Sequence, residues 1–249
     1  MLSTESKLTE LVNRLKELAA ANLHSVVLYG SSARGDFHQD HSDLNVLVIL
    51  ESLAATDLRR VSPAVKWWTI DQREPAPLFF TAEELARSSD VFAIELLDIR
   101  EAHRVLYGKD PVTAINIPMN LHRVELEHEL RTTQLKLRQH YLLAADKPHE
   151  LISVLIKSSS SVVTLLRHVL IAYNESVPAT RQEIVARTAA IAGADASALN
   201  AALQLRDSPA TSHDIAGIYG SYLNAIGKVI AALDHLIPKH EWQRVAKTN

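Results

Sequence analysis

Leu8, Leu11, Val12, Leu15 and Leu18 recur at intervals of three and four, the period of one apolar stripe on an α-helix. They predict an amphipathic first helix that runs out near Asn22, a residue that tolerates helix C-terminal geometry. HSVVLY then reads as a buried strand. LNVLVIL, starting at Leu44, reads as a second strand, and its near-unbroken apolar character implies cover on both faces of a sheet, with helices on each side. Leu58, Val61, Val65 and Trp68 step by three, four and three, which predicts a helix over 54–71 in spite of the β-leaning VKWWTI, with Trp68 on the core stripe and Trp67 off it. REPAP breaks the chain, and LFF reads as a short edge strand. Thr81 with Glu84 forms a capping box that opens a brief helix. VFAIELLDI predicts a third substantial strand, and HRVLYGKDP closes the region with a Gly and a Pro.

Past about residue 118 helical periods dominate and strand candidates disappear. Helices are predicted over 120–145, 149–173, 180–192, 196–205 and 212–236, broken at DKP, NESVP, GAD and DSPATS. Five such helices make a bundle. The run Ser158–Ser161 is too short for a linker and fits inside a helix where small residues permit close packing. The expected fold class is therefore α+β. A small mixed sheet with flanking helices occupies 1–117, an all-α bundle occupies 118–249, and the boundary falls near Ile117.

Composition changes this picture only by exclusion. At 249 residues and 47% hydrophobic, the chain can bury a full core in one large domain or two modest ones. A net charge of -3 offers no overall attraction to polyanions, which disfavours long nucleic acids and membrane surfaces as partners. With no cysteine, disulfides, thiolate metal sites and cysteine nucleophiles are ruled out. The charged N-terminus lacks a signal-peptide core, and no later segment reaches membrane-spanning length without charges. The expected location is the cytoplasm.

The stretch VVLYGSSARGDFHQDHSDLNVLVI, residues 26–49, carries the chemistry. A strand ending in Gly30-Ser31 and turning into a helix presents free N–H groups and a hydroxyl to an anion at the positive end of the helix dipole. The Gly-Lys-Ser/Thr ending of a Walker loop is missing. Asp43 and Asn45 follow at the start of the next strand, and alternation aims both at one point. Two carboxylates at that point would hold a pair of Mg²⁺ ions, but this chain supplies one.

The segment GSSARGDFHQDHSDLNVLVI resembles the Gly-Ser, Arg-Gly and Ser-Asp-x-Asp signature of the DNA polymerase β-like nucleotidyltransferase superfamily. DVFAIELLDI followed by HRVLYGKDP is similar to bacterial nucleotidyltransferase-domain proteins that carry a helical C-terminal domain. The resemblance implies that Gly30 and Ser31 contact the phosphates of ATP or another nucleoside triphosphate. It makes Asp43 a ligand of Mg²⁺ or Mn²⁺, and it puts Asn45 where the second metal-binding Asp belongs. It also implies a third carboxylate on a later strand that completes the metal site and activates the acceptor. Glu95 is favoured over Asp98 for that role, because a charge inside FAIELL is costly to bury unless it meets a metal or a partner. The odd separation of the two puts them on opposite faces of a strand.

The implied activity is transfer of a nucleoside monophosphate to a hydroxyl-type acceptor, not identified by these residues, with release of pyrophosphate. The alternative is a catalytically impaired nucleotide-binding or regulatory module, motivated by Asn45; a toxin–antitoxin component is a weaker third. The helical domain is the candidate surface for homo-oligomers. Arg34 fits a phosphate contact and a structural ion pair with Asp36 or Asp43 equally well. His38, Asp40 and His41 read as a solvated loop rather than a metal cluster. Arg123 and His128 match the spacing of HEPN-type ribonucleases, but HRVELEHELR reads better as a charged helix face with pairs such as Glu127 and Arg131.

Overall fold

The computed structural model describes residues 3–33, 43–205 and 214–236. The segment from Arg34 through Ser42, with His38, Asp40 and His41, lies outside the described residues, as does the side chain of Ser31. Two compact units divide the chain, Met1–Pro118 and Met119–Asn249.

In the first unit, helix α1 (Thr4–Ala19) starts at an N-cap, the Ser3 hydroxyl accepting from the Ser6 N–H, and ends at Ala20 with φ 47°. Strands β1 (Leu23–Tyr29) and β2 (Asn45–Leu50) pair antiparallel, with Tyr29 opposite Asn45. Helix α2 (Ala55–Lys66) continues into a π-helical turn over Trp67–Asp71. Next come β3 (Leu78–Phe80), α3 (Ala82–Arg87), α4 (Ala93–Glu101) and β4 (His103–Gly108). The sheet order is β3-β2-β1-β4, with β3 parallel to β2 and β4 antiparallel to β1.

The mixed sheet with flanking helices, followed by a helical region, agrees with the expected fold class. Val46 through Leu50 are all buried, so both faces of β2 are covered as its apolar run requires. Leu8, Leu11 and Leu15 of α1 pack with Val26, Val48 and Trp68 in one core. The Trp68 indole N–H is satisfied by the Pro75 carbonyl at 2.9 Å. Trp67 lies off the core stripe, with the Arg14 guanidinium 4.5 Å from its ring centre. The Thr81–Glu84 capping box is present in both directions.

One expectation is overturned. VFAIELLDI is not a strand: Ala93–Glu101 is helical, burying Ala93, Ile94, Leu96, Leu97 and Ile99 while Glu95 and Glu101 are exposed. Buried positions at i, i+1, i+3 and i+4 follow the helical period, and Ala, Leu and Glu are strong helix formers. A short apolar run does not distinguish buried helix from buried strand. The remaining strand is the next segment, HRVLYG, which forms the sheet edge at β4.

The second unit contains α5 (Met119–Ala144), α6 (Pro148–Ala172), α7 (Arg181–Ala192), α8 (Ala196–Gln204) and α9 (Ile215–His235), within a few residues of the periodicity. Pro148 opens α6, Gly193 closes α7 in the left-handed conformation, and the Asp195 side chain caps α8. Tyr219, Ile226, Val229 and Leu233 of α9 are buried, as are Leu130 and Leu137 of α5 and Leu155, Leu166 and Val169 of α6. Helix α6 is long and apolar enough by composition to cross a bilayer, but more than half of its most apolar stretch is buried inside the unit, as in a core helix. Ser159 is buried in α6 while Ser160 and Ser161 are exposed, so close packing applies to only part of that serine run.

Candidate nucleotide site

The exit of β1 is built around Gly30. Its φ of +84° lies where L side chains are strained, and a Cβ there would sit 3.4 Å from the Asn45 side-chain nitrogen. The Gly30 N–H donates to the Ala102 carbonyl at 2.9 Å, and the Gly30 carbonyl accepts from the Ala33 N–H at 3.0 Å. Together these bonds hold a single 3₁₀ turn, Ser31–Ala33, beside the start of β4. The described residues after Gly30 form that turn, and the continuation of the expected helix falls outside the described residues.

Opposite the turn, Asp43 is exposed, Leu44 is buried and Asn45 is half-buried. This alternation puts Asp43 and Asn45 on one side of the chain. The Ser32 hydroxyl donates to the Asp43 carbonyl at 3.0 Å, bringing the turn to the entrance of β2. Leu44 is anchored from the other side. Its N–H donates to Glu74 Oε2 at 3.1 Å, while Glu74 Oε1 accepts from Lys7 Nζ at 2.6 Å. Both side chains of that ion pair are largely buried, 20% exposed for Lys7 and 11% for Glu74.

The sequence reading did not single out Glu74, which it left inside a chain break. A carboxylate just ahead of an edge strand was the available signal, but its partners Lys7 and Leu44 lie far away in sequence. Strand β3 has no carboxylate to offer: extending the Leu47–Leu78 register back two residues brings Ala76 level with Asn45. Glu74 is committed to Lys7 and Leu44.

Glu95 and Asp98 lie on a helix, so the opposite-face argument that separated them does not hold: three residues apart on α4, they share a side. Glu95 is exposed in the first turn of α4, where no apolar burial has to be offset by a metal. It remains electrostatically linked to the site. Burial, and then the Glu95 carboxylate, push up the pKa of the Tyr29 phenol, and Tyr29 immediately precedes Gly30. In the other unit, Arg123 donates to Glu127 and to the Leu236 carbonyl, whereas His128 is exposed beside Glu129. Glu127 also pairs with Arg131 at 2.7 Å, so this is a charged helix face.

The donor set limits which cation fits. Among the described residues no three His, Asp or Glu side chains gather into a metal cage. Asp43 contributes one negative charge, and Asn45 contributes none, offering only an amide oxygen. Those donors fit one Mg²⁺ that brings phosphate oxygens as further ligands, and they do not fit a pair of dications.

Residues 8–112 match the family model described as nucleotidyltransferase domain. No curated protein matches the chain. Among solved structures, the spectinomycin adenyltransferase AAD(9) from Enterococcus faecialis, with ATP and spectinomycin, is similar at a TM-score of 0.55 and 14% identity, covering 93% of this chain and 100% of that one. At that identity the likeness is one of fold. The four-stranded mixed sheet, the Gly30 turn at the end of β1 and the family match agree in this: residues 8–112 form a nucleotidyltransferase domain of the polymerase β-like kind.

Proposed function

We propose that the N-terminal domain binds a nucleoside triphosphate with a single Mg²⁺ at the Gly30 turn and transfers the nucleoside monophosphate to a hydroxyl-type acceptor. Support comes from the meeting of three features: the left-handed Gly30, the Asn45 amide beside it, and the exposed Asp43 two residues before Asn45. Gly30 lets the triphosphate approach the main chain, with Ser31 as its hydroxyl donor. The Asp43 carboxylate and the Asn45 amide oxygen are the ligands for the cation. When bound, Mg²⁺ supplies charge neutralisation along the phosphates.

In the transfer, the acceptor oxygen forms a bond to the α-phosphorus. The bond from that phosphorus to the α–β bridging oxygen breaks, and its electron pair leaves with pyrophosphate. The acceptor proton passes to a base, for which exposed Glu95, near Tyr29, is the candidate.

Asn45 favours a second reading, a module that binds nucleotide and turns it over slowly or not at all. Replacing a carboxylate with an amide removes half of the negative charge of a paired site. One experiment separates the two. The full-length protein is titrated calorimetrically with Mg²⁺ and each nucleoside triphosphate, then assayed for pyrophosphate release with α-labelled triphosphate and a pool of hydroxyl metabolites. Transfer is expected in wild type, to be lost in Asp43→Ala and to rise in Asn45→Asp. Binding without turnover in wild type, with turnover created by Asn45→Asp, selects the second reading. If no triphosphate binds to either protein, both readings fail.

A further inference from the structure

Between α5 and α6 lies a groove of about 350 Å³, contained within the helical unit. Helix α5 lines it with Thr133, Lys136, Leu137 and His140, and α6 with Val154, Lys157, Ser158 and Ser161. Both sets have the spacing i, i+3, i+4, i+7, so each is one continuous stripe of its helix. The short connection over 145–147 makes the helices antiparallel neighbours. In that arrangement Lys136 is level with Ser158, and Lys157 with Leu137 one residue further along. Two ammonium groups and three hydroxyls therefore border a floor that includes buried Leu137.

The charge of the groove is not neutralised locally. No carboxylate lines it, and among the described residues neither Lys136 nor Lys157 has an ion-pair partner. Residues 130–172 hold six Lys or Arg against two Asp or Glu, a net +4 in a chain of net -3. Of those cations, Arg131 is paired with Glu127 and Asp234, and Lys147 with Glu150, which leaves the groove lysines available. The floor is braced from within. The Tyr219 hydroxyl donates to the Leu137 carbonyl at 2.9 Å, and the Tyr222 hydroxyl lies 3.4 Å from Ser158 Oγ. Lysines act as point charges with three rotatable donors rather than planar forks, and the Thr133 and Ser161 hydroxyls each add one rotatable donor, while Ser158 donates to the Leu155 carbonyl. This set suits the tetrahedral oxygens of a phosphoryl group better than a flat carboxylate. The volume exceeds one phosphoryl group and is at the lower end of small-molecule pockets.

We propose that the α5–α6 groove is a binding site for a small phosphorylated anion, a diphosphate or a phosphomonoester metabolite, held between Lys136 and Lys157. It does not depend on the nucleotide reading of the N-terminal domain. The test is calorimetric titration of the full-length protein, without divalent metal, with inorganic pyrophosphate, glycerol phosphate and sulfate in separate arms. Saturable pyrophosphate or glycerol-phosphate binding below millimolar is expected, weakening with added salt, and stronger than sulfate. A preference between those two arms tells diphosphate from phosphomonoester. Lys136→Ala/Lys157→Ala should lose at least tenfold in affinity with its thermal melt unchanged, and Asp43→Ala should bind like wild type. Loss in Asp43→Ala but not in the lysine variant would assign the ligand to the other unit and overturn the proposal. Absence of saturable binding, or sulfate binding equally well, overturns it too.

Discussion

Replacing Glu74 by Ala tests how the fold holds its site strand. The substitution leaves Lys7, 20% exposed, without its carboxylate, and strands the Leu44 N–H beneath Asp43 and Asn45. Removing one partner of a buried ion pair costs about 3–5 kcal/mol. Partial exposure lets the Lys7 ammonium turn toward water and brings that toward the low end. An unsatisfied buried N–H adds about 1–3 kcal/mol. Because Lys7 can also lean on the Gln72 carbonyl, 3.4 Å away, a net loss of about 3 kcal/mol is expected. For a chain of this size each kcal/mol lowers Tm by about 2–4 °C, so the melt should fall by about 6–12 °C. Lys7→Met should cost less, since Glu74 still accepts from Leu44. The double variant should show a coupling energy of about 1–2 kcal/mol. Thermal and urea unfolding followed by tryptophan emission suits the assay, because Trp68 donates to Pro75, the residue after Glu74. A shift below about 2 °C for Glu74→Ala, with no coupling to Lys7, would refute the latch.

Gly30→Ala puts a side chain at φ +84° for about 1–2 kcal/mol, with its Cβ in ordinary contact with Asn45, so the domain should fold with a modestly lower Tm. Gly108→Ala, at φ +79°, should lose more, because a Cβ there overlaps the His24 carbonyl; equal melts for the two variants would contradict this ranking. Burial pushes the Asp110 carboxyl up, but hydrogen bonds from Thr113, Val112 and His103 outweigh it and hold it well below the ordinary 3.8. Its folded pKa is thus below the unfolded one, so the stability it contributes is complete above about pH 4 and is lost as pH falls through the folded value. Wild type should therefore lose more stability than Asp110→Asn in urea titrations between about pH 4 and 2, and identical acid limbs would refute that account.

Periodicity was sufficient for elements whose burial pattern is local. The stripe of Leu8, Leu11 and Leu15, the apolar run of β2 and the five helices after Pro118 each carry their own signature, because one face of the element meets one environment. It was insufficient for Ala93–Glu101, because an apolar run this short fits a buried strand as readily as a buried helix. The choice between Glu95 and Asp98 depends on the same element, since the opposite faces that a strand would give them become one side of a helix.

The sequence by itself determined the first helix, the two central strands, the five helices of the second unit, the glycine at the exit of β1 and the charge deficit at Asn45. These follow from residue identities and from neighbours a few positions apart. Only the tertiary structure decided that Tyr29 faces Asn45, that β3 brings Ala76 rather than a carboxylate alongside, and that Glu74 is tied to Lys7. Lys7 and Glu74 are 67 residues apart, and neither residue type nor spacing encodes such a contact until the sheet and α1 close around it. Register and long-range ion pairs are properties of the packed chain. They depend on which surfaces are excluded from water together, and no local window of sequence records that.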